Sequence, residues 1–470
     1  MWHKYTSFQF KVLSSCSRMF KKVTQSIAKQ MDPKGELIPV YSILDQEHFR
    51  PFCLVRRKSK TVFCPTPGYQ RTEYSLYDVL LLGEDKTSAE SLILSEDVQD
   101  SSQVTFTHHV DGRVEGKLHL PVNSANTEVY GSTRWSKEGS IKLEKKYIPV
   151  AKLESLKTER KINMNHSFIE QVKKKQQNLY VVHESIQASE TTSYEETNKT
   201  EGSFMAQLYA KFSTKGTRDC KRSITIPKGC TIAFRTMQLT IEGGSWGIYH
   251  FPEDNVGTFV SDGKRCFLDG KLGALEKEVK AKYRIFSRLS VDLRITFLTS
   301  IKAVMRNRNL FQELTQKMEA VLDETDNCEL KTESPDLKDL LHSLRDSPRD
   351  LLLKLAEAIN YTLYALDELT EDQLLLLLES LEEKIVSQQL KLVKSILEHD
   401  IQNTEGCFSV DASLLSFSQE KEQKLTTVML EMSGVKIQKN GSAECKQEAF
   451  SPLAALYASL YVLDLLSKLD

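Results

Sequence analysis

The segment "VTFTHHVDGRVEGKLHLPV", residues 104–122, decides how the first half of this chain folds. Most of its even-numbered positions are apolar or Gly, and nearly all the odd-numbered positions between them are polar or charged. Alternation with a period of two places the two sets of side chains on opposite faces of a β-strand. A two-residue turn at Asp111-Gly112 would pair apolar with charged side chains. The pattern therefore favours a hairpin with an odd-length loop or one continuous strand.

The remainder of the first half predicts more strands behind one short helix. Four apolar residues recur at helical spacing near its start: Phe20, Val23, Ile27 and Met31. The sequence Asp32-Pro33-Lys34-Gly35 ends that helix. Residues 178–188 have the composition of a strand, and a second alternation runs over 203–213 after the polar stretch 189–203. We predict a strand, a polar tip and a strand over these residues.

The second half of the chain reads as helices. Ser347-Pro348 supplies an N-cap and a Pro at the first helical position, and Thr370 to Gln373 forms a capping box. Ser451-Pro452 opens a last helix. The five consecutive Leu residues 374–378 cover every side of a helix, which places that helix in the centre of a bundle. No uninterrupted run of about 18 apolar residues occurs, so we predict no transmembrane helix.

The strand patterns of the first half and the helix patterns of the second predict an α+β protein of two domains. The N-terminal domain, residues 19–241, is a twisted antiparallel β-sheet with a short opening helix. The C-terminal domain, residues 273–470, is an all-α helical bundle. Residues 1–18 form an N-terminal extension, and the Gly-containing polar residues 242–272 form a linker.

The net charge of −1 hides a division between the two halves. Residues 1–262 carry 36 Lys and Arg against 30 Asp and Glu, whereas residues 263–470 carry 27 against 34. A basic first half and an acidic second half attract each other. Without its partner, the first half favours anionic surfaces.

A basic cluster with aromatic neighbours lies in "CLVRRKSKTVFCPTPGYQRTEY", residues 53–74. Its cations suit lipid phosphates, and an exposed aromatic tip suits the bilayer interface. The sequence "QVKKKQQN", residues 171–178, is a second and weaker basic patch. Nucleic-acid binding uses the same residue types, but no RNP motif, zinc finger or helix-turn-helix pattern is present, so we predict no nucleic-acid partner.

The sequence contains no catalytic or metal-binding set. It has no GxSxG motif, no phosphate-binding Gly-rich loop and no HExxH motif. His108 and His109 point to opposite faces of a strand, which does not suit a shared metal ion. The nine Cys are scattered without CxxC pairs, which favours a reducing cytosol. We predict that the protein is not an enzyme and uses no cofactor or metal.

Several separate stretches together resemble the gasdermin family, most closely its A type. They are "MFKKVTQSIAKQMDPKGELIPV" (19–40), "FRPFCLVRRK" (49–58), "NLYVV" (178–182), "TIPKGCTIAFRTMQL" (225–239) and "AINYTLYALDELTEDQ" (358–373). The resemblance covers nearly the whole chain from Met19. It implies a cytosolic protein held inactive by its helical half. Proteolysis in the linker then frees the first half, which binds acidic phospholipids, forms a homo-oligomer and inserts β-hairpins as a pore.

The resemblance also implies roles for particular residues. The first inserted hairpin would use about 72–86 and 104–122, and the second about 178–190 and 203–213. Tyr361 matches a position where the C-terminal domain contacts the N-terminal one, and so does Ala365. The residues that would meet lipid lie in the opening helix and the basic segment: Lys21, Lys22, Lys29, Arg56, Arg57, Lys58, Lys60, Phe63 and Arg71. The expected lipids are phosphoinositides, cardiolipin and phosphatidylserine.

One short sequence in the linker fits an activating protease. Phe259-Val260-Ser261-Asp262 followed by Gly263 has the bulky residue, the Asp and the small residue that inflammatory caspases prefer. Asp269, followed by Gly270, is a weaker alternative site. The sequence Asp323-Glu324-Thr325-Asp326 is similar to an executioner-caspase site but lies in the helical half. Another protease remains an alternative activator.

The sequence therefore predicts an autoinhibited pore-forming protein of pyroptotic, lytic cell death. It would be cytoplasmic when intact and would act at the plasma membrane once cleaved. The alternative is a peripheral lipid-binding scaffold or adaptor that does not insert. Both proteins would sediment with liposomes, but only the pore-forming one would release trapped dye.

Overall fold

The computed structural model describes residues 19–33, 35–57, 61–63, 68–81, 98–100, 104–109, 112–117, 130–135, 138–175, 177–201, 203–212, 219–249, 271–323, 330–399, 407–438, 441–446 and 449–468. An antiparallel β-sheet domain with an opening helix is followed by a helical domain. The predicted fold class is confirmed.

The first half consists of strands with a few helices. Its strands are β1 (Ile38–Pro39), β2 (Cys53–Arg57), β3 (Tyr69–Ser75), β4 (Gln99–Asp100), β5 (Val104–His109), β6 (Gly112–Lys117), β7 (Tyr130–Trp135), β8 (Glu138–Tyr147), β9 (Leu179–Ala188), β10 (Thr192–Glu201), β11 (Asp219–Ile226), β12 (Thr231–Glu242) and β13 (Ser245–Tyr249). Its helices are α1 (19–31), α2 (Leu76–Val79), α3 (Val150–Glu159), α4 (Ser167–Lys174) and α5 (Ser203–Phe212). Strands β1, β12, β9, β2 and β3 lie side by side in this order, and β8 joins β9. A second sheet has the order β11-β10-β7-β6.

Helices cover both faces of the central sheet. On one face, α1 packs through Phe20 into a core that includes Val55 and Val182. On the other face, α3 and α4 pack into a core that includes Leu54 and Val181. Adjacent residues of a strand point to opposite faces, so a strand that is apolar at successive positions is buried on both sides.

Two parts of the alternating segment 104–122, strands β5 and β6, lie along one side of a two-stranded ribbon. Val104 of β5 faces Leu143 of β8, and Gly112 of β6 faces Trp135 of β7. The pairing advances residue for residue from the first ladder to the second, so β5 and β6 keep one register along their partners. They do not pair with each other, and the hairpin alternative is therefore wrong, whereas the continuous strand fits this register. The residues between β5 and β6, and those after β6, lie outside the described residues.

The predicted strand, polar tip and strand over 178–213 is wrong in the intact chain, whereas the hairpin that the resemblance implies for the membrane pore stays a prediction. Residues 203–212 form helix α5, and the predicted polar tip at 189–203 contains strand β10, which pairs with β11. Phe204, Leu208 and Phe212 are spaced four apart, a spacing that fits both a period of two and one face of a helix. The helix forms here because Leu208 and Phe212 are buried against the second half.

Two other boundaries predicted from the sequence differ from those in the structure: the end of one strand and the start of the linker. The predicted hairpin strand 72–86 ends at Ser75, where the backbone N–H donates to Asp78 Oδ2 at 2.6 Å and opens α2. Strands β12 and β13 form a hairpin through Gly243 and Gly244, whose φ angles are 58° and 89°. Only glycine adopts such angles readily. The sheet therefore continues beyond the predicted start of the 242–272 linker, and residues 250–270 lie outside the described residues.

The second half is a bundle of helices with one small sheet. Its helices are α6 (Lys271–Tyr283), α7 (Val291–Arg306), α8 (Arg308–Leu322), α9 (Pro335–Arg345), α10 (Arg349–Glu368), α11 (Glu371–Glu382), α12 (Val386–Glu398), α13 (Ala412–Leu415), α14 (Glu420–Met432) and α15 (Phe450–Ser467). Strands β14 (Cys407–Ser409), β16 (Ser442–Cys445) and β15 (Val435–Ile437) form a sheet in that order. The domain is therefore helical, as predicted, but the prediction that it is all-α is wrong because of this small sheet.

Local signals place most of these helices correctly. Thr370 accepts a hydrogen bond from the Gln373 backbone at 3.2 Å and donates its own N–H to the Gln373 side chain at 3.0 Å, which confirms the capping box. The N-cap of α10 is Pro348, one residue later than predicted. By length and composition α15 could span a membrane, but it is largely buried inside the protein and contributes to the core of the bundle, where an apolar helix is expected.

Candidate regulatory interface

The first half places three apolar side chains inside the hydrophobic core of the second half. Among the described residues before Lys271, the buried members of that core are Phe63, Leu208 and Phe212, with exposures of 1%, 3% and 6%. Four neighbours pack against its edge: Val62, Phe204, Met205 and Tyr209. A large apolar side chain contributes about 1.5–3 kcal/mol when it is fully buried. The two halves are therefore docked through the turn at 61–63 and through α5.

The turn at 61–63 docks on α10 and α6. The ring of Phe63 meets the ring of Tyr361 edge to face, with 5.1 Å between centroids. The Tyr361 hydroxyl donates to Glu278 Oε1 at 2.9 Å, and the Val62 backbone N–H donates to the same oxygen at 3.2 Å. Burial and the neighbouring groups raise the pKa of Tyr361 far above its ordinary value, so this hydroxyl remains a donor at neutral pH. Ala365, one turn further along α10, is fully buried.

Helix α5 docks on α11 and α14 through a buried carboxylate. Lys211 Nζ lies 2.7 Å from Glu379 and 2.5 Å from Glu382. Lys421 of α14 contacts Glu379 from the other side at 2.5 Å. The Glu379 side chain is only 2% exposed. One cation from each half therefore neutralises it.

Further contacts surround this carboxylate. Tyr209 of α5 donates a hydrogen bond to Asp372 at the start of α11. The ammonium of Lys424 lies over the Phe204 ring at 4.8 Å from its centroid. Helix α14 also lies against strand β6. The same part of the helical domain therefore contacts both α5 and the long ribbon.

Glu379 keeps its charge although it is buried. Burial by itself raises the pKa of a carboxyl, but hydrogen bonds from Lys211 and Lys421 outweigh burial and hold the pKa of Glu379 below its ordinary value. When the halves separate, Lys211 leaves and Lys421 remains, so the pKa rises toward the ordinary value. The contribution of Glu379 to docking is therefore complete above about pH 4.3 and is lost as the pH falls below it.

We expect the docking of the two halves to be acid-sensitive through this group. A complex whose linker has been cut should stay associated on gel filtration from about pH 8 to about pH 5 and weaken as the pH falls below about 4.3. A Glu379→Gln complex should dissociate more readily at neutral pH and change less on acidification. An equally steep dependence of dissociation on pH in both complexes would contradict the assignment of Glu379 as the acid-sensitive group.

The opening helix is held by carboxylates at the end of α10. Lys21 Nζ lies 2.7 Å from Asp367 and 3.3 Å from Glu368. Arg308 contacts the same Asp367 at 2.6 Å. Burial lowers the pKa of a Lys side chain, but the two carboxylates outweigh burial and raise the pKa of Lys21. Lys21 is therefore a charged group enclosed between the two halves.

In a fourth contact between the halves, three donors of the first half bind Asp323, the residue that caps the end of α8. Arg56 Nη2 and Gln70 Nε2 reach its Oδ2 at 3.2 Å and 2.6 Å. Lys175 Nζ donates to its backbone carbonyl at 2.6 Å. Three separate elements of the first half therefore converge on one residue of the second.

The predicted lipid-binding residues are not all exposed. Lys21 and Arg56 are paired with carboxylates of the second half, and Phe63 is buried rather than an exposed tip. Lys22 and Arg57 are half-buried. The structure therefore places three of these residues in the interface, and their role with lipid stays a prediction.

The remaining predicted residues are exposed or lie outside the described ranges. Lys29 is exposed, and the exposed Arg71 contacts Asp45 at 3.2 Å and Glu73 at 3.1 Å. Five predicted residues lie outside the described residues: Lys58, Lys60, Asp262, Gly263 and Asp269. Within the described ranges, no group of three or more His, Cys, Asp or Glu side chains is placed to hold a metal ion.

Sequence reasoning missed the acidic side chains that hold the first half. The most important are Glu278, Asp323, Asp367, Glu368, Asp372 and Glu379. A signal for some of them is present, because α8, α10 and α11 have no basic residue in their last turn. A helix C-terminus favours cations. Acidic ends on three helices therefore indicate that cations come from elsewhere in the chain.

Two family descriptions cover most of the chain. Residues 19–261 match the Gasdermin pore forming domain, and residues 271–444 match the Gasdermin PUB domain. This chain belongs to the gasdermin family. The docked halves of this gasdermin are therefore its pore-forming domain and its PUB domain, and the family's matched domain is pore-forming rather than enzymatic.

Individual relatives agree with this assignment. Gasdermin-A of Mus musculus is 33% identical over 468 residues, which cover 96% of this chain and 99% of the relative. Gasdermin-A of Homo sapiens is 32% identical over 469 residues with the same coverage. A cryo-EM structure of the Gasdermin A3 membrane pore covers 51% of this chain and 98% of its own, with 28% identity and a TM-score of 0.39. The predicted resemblance to A-type gasdermins is confirmed.

Proposed function

We propose that this gasdermin is stored in the cytoplasm as an inactive pore-forming protein and is released by cleavage of its linker. The observation that carries the proposal is the burial of Phe63, Leu208 and Phe212 in the core of the PUB domain. Phe63 belongs to the predicted lipid-binding set, and α5 belongs to a predicted membrane hairpin. Neither segment can enter a bilayer while it completes the core of another domain.

The charges support the same mechanism. Lys21 and Arg56, two predicted lipid-binding cations, are each occupied by carboxylates of the PUB domain. Lipid phosphates and these carboxylates compete for the same donors. The PUB domain therefore opposes membrane binding both by covering apolar side chains and by neutralising cations.

Cleavage acts on the tether rather than on the contacts. An intact linker keeps the two domains at a local concentration of about the millimolar range, so a contact that opens closes again. After cleavage after Asp262, with Asp269 as the alternative, a PUB domain that dissociates diffuses away. An acidic membrane then captures the free pore-forming domain. The activator is an inflammatory caspase or another protease that cuts the same linker.

At the membrane, the free domain assembles with copies of itself. In lipid every backbone polar group needs a partner, so a β-built pore closes into a barrel to which many copies contribute strands. The four-residue spacing of Phe204, Leu208 and Phe212 allows α5 to become a strand with one apolar face. The resulting pore would open the plasma membrane and cause pyroptotic lysis.

We expect cleavage of the linker to trigger leakage from vesicles that contain phosphoinositide or cardiolipin. The intact chain should leave trapped dye inside, and addition of an inflammatory caspase should release it. Asp262→Ala should abolish this release, whereas Asp269→Ala should leave it unchanged. Dye release and fragment masses are measured on the same samples.

A second variant separates the mechanism from the identity of the protease. Residues 257–263 are replaced by the recognition sequence of an unrelated site-specific protease, and that protease should then trigger the same release. Sedimentation of the cleaved chain with vesicles but without dye release would contradict the proposal and favour a non-inserting scaffold. Equal release before and after cutting would contradict autoinhibition.

A further inference from the structure

A cleft of about 510 Å³ lies between the two domains beside β2, β3 and the end of α4. Its lining includes Arg56, Gln70, Lys175 and Gln177 from the pore-forming domain and Asp323 from the PUB domain. Three of these pore-forming residues donate hydrogen bonds to Asp323. The cleft therefore contains a converging set of donors whose acceptor belongs to the other domain.

The sheet holds Arg56 and Gln70 in place independently of Asp323, and Lys175 follows directly after α4. Arg56 of β2 pairs with Gln70 of β3 and with Leu179 of β9 in the antiparallel ladders. Arg56 Nη1 also donates to the Gln177 side chain at 2.9 Å, and the Arg56 side chain is 16% exposed. Donors fixed by packing and by one another keep their geometry when an acceptor leaves.

Besides Asp323, the described residues that line the cleft include three carboxylates: Asp45, Glu73 and Glu319. Asp45 and Glu73 contact Arg71. Glu319 accepts a hydrogen bond from Tyr364 at 3.0 Å and belongs to the PUB domain, so it leaves together with Asp323. When the domains separate, Arg56 loses the Asp323 carboxylate and Lys175 loses the Asp323 backbone carbonyl.

The chemistry of the donor set suits a phosphate better than a carboxylate. Asp323 offers one carboxylate oxygen and one carbonyl oxygen to two cations and an amide. A phosphomonoester presents three acceptor oxygens and a charge of about −1.5 to −2 at neutral pH. A phosphodiester, as in phosphatidylserine or cardiolipin, carries one charge per phosphate and two free oxygens. Two cations and an amide therefore favour the monoester.

We propose that Arg56, Gln70 and Lys175 form a binding site for a phosphomonoester, and that Asp323 takes the place of this phosphate in the intact chain. The ligand is the phosphorylated headgroup of a phosphoinositide. This inference rests on the proposed function, because it assigns a lipid class and a site to the released domain. Headgroup binding and PUB docking at this point exclude each other, so each weakens the other.

Removal of the carboxylate should open the site in the intact protein. We expect intact Asp323→Asn, and Asp323→Ala as a second variant, to bind soluble inositol 1,4,5-trisphosphate at least about tenfold more tightly than the wild type in calorimetry. The matched control is Asp346→Asn, because Asp346 caps the end of α9 with the same backbone geometry and is 54% exposed within the PUB domain. Adding Lys175→Gln to Asp323→Asn should cancel the gain.

Vesicles then identify the source of the phosphate. At matched surface charge, Asp323→Asn should sediment more strongly with vesicles that contain phosphatidylinositol 4-phosphate than with vesicles that contain phosphatidylserine. Equal sedimentation with both, together with no gain in binding of the soluble probe, would overturn the monoester site. Binding of the soluble probe without preferential vesicle binding would overturn the headgroup assignment and leave a soluble phosphate as the ligand.

The two proposals fail in different ways. An equal gain in the Asp346→Asn control, or no gain in Asp323→Asn, would overturn the site even if cleaved wild-type chain still releases dye. Absence of dye release from cleaved wild-type chain would overturn the proposed function, whatever Asp323→Asn binds. Thermal melting of each intact variant shows that it is folded before either binding measurement is made.

Discussion

Intact Glu379→Lys chain is expected to release dye from phosphoinositide vesicles without any cleavage of its linker. The wild-type carboxylate is 2% exposed and neutralises Lys211 of the pore-forming domain and Lys421 of the PUB domain. Reversal of its charge places three cations together at a buried contact. Loss of one partner from a buried ion pair costs about 3–5 kcal/mol, so the open form should become at least about a hundred times more populated.

A control variant separates this effect from a general change of charge. Glu357→Lys makes the same substitution on α10, where the wild-type carboxylate is 55% exposed and contacts Lys282 of its own domain at 3.7 Å. Intact chain with Glu357→Lys should release no dye without cleavage. Dye release by intact Glu357→Lys chain would contradict the role of the α5 contact. Absence of dye release by intact Glu379→Lys chain, at a protein concentration where cleaved wild-type chain releases dye, would contradict it as well.

Tyr361→Ala is expected to give the second largest release from intact chain. The ring packs against Phe63 at 5.1 Å and against Tyr283 at 5.3 Å. Removal of a buried aromatic ring costs about 3–5 kcal/mol, a cost that falls partly on the PUB domain and partly on docking. We expect dye release without cleavage at least about tenfold faster than for the wild type.

Tyr361→Phe is the matched comparison, because it keeps the ring and removes only the hydroxyl that donates to Glu278. A single hydrogen bond contributes about 0.5–1.5 kcal/mol, so release by this variant should stay within about tenfold of the wild type. Thermal melting of both variants shows whether the PUB domain remains folded. Equal release by the Ala and Phe variants would mean that the Phe63–Tyr361 ring contact does not restrain the chain.

The broad architecture could be predicted from the sequence because it depends on local patterns. The spacing of Phe20, Val23, Ile27 and Met31 predicts the opening helix, and the Thr370–Gln373 capping box predicts the start of α11. The alternation over 104–122 predicts that β5 and β6 are strands, although it does not choose between a hairpin and the continuous register that the structure shows. Each of these signals is contained within about one element of the chain.

The conformation of α5 could not be predicted in the same way. Its apolar residues satisfy the periods of a helix and of a strand, so the choice depends on what they pack against. Leu208 and Phe212 pack into a core built from residues beyond Lys271. That contact joins distant parts of the chain and has no local signature.

The interface residues illustrate the same limit. The charge difference between the halves predicts that they attract, but it does not tell which carboxylate meets which cation. Asp323 stands out in the sequence only within a tetrapeptide similar to a protease site, and Lys175 only within a weak basic patch. Their pairing requires β2, β3, α4 and α8 to meet in space.

The central claim is that the PUB domain restrains the pore-forming domain until the PUB domain dissociates. The distribution of the two fragments between vesicle pellet and supernatant tests this claim most directly. Chain with a cut linker is mixed with dye-filled phosphoinositide vesicles, which are sedimented while dye release is recorded. The pore-forming fragment should be found in the pellet, the PUB fragment in the supernatant, and release should follow their separation. Release while both fragments sediment together in equal amounts would contradict the account.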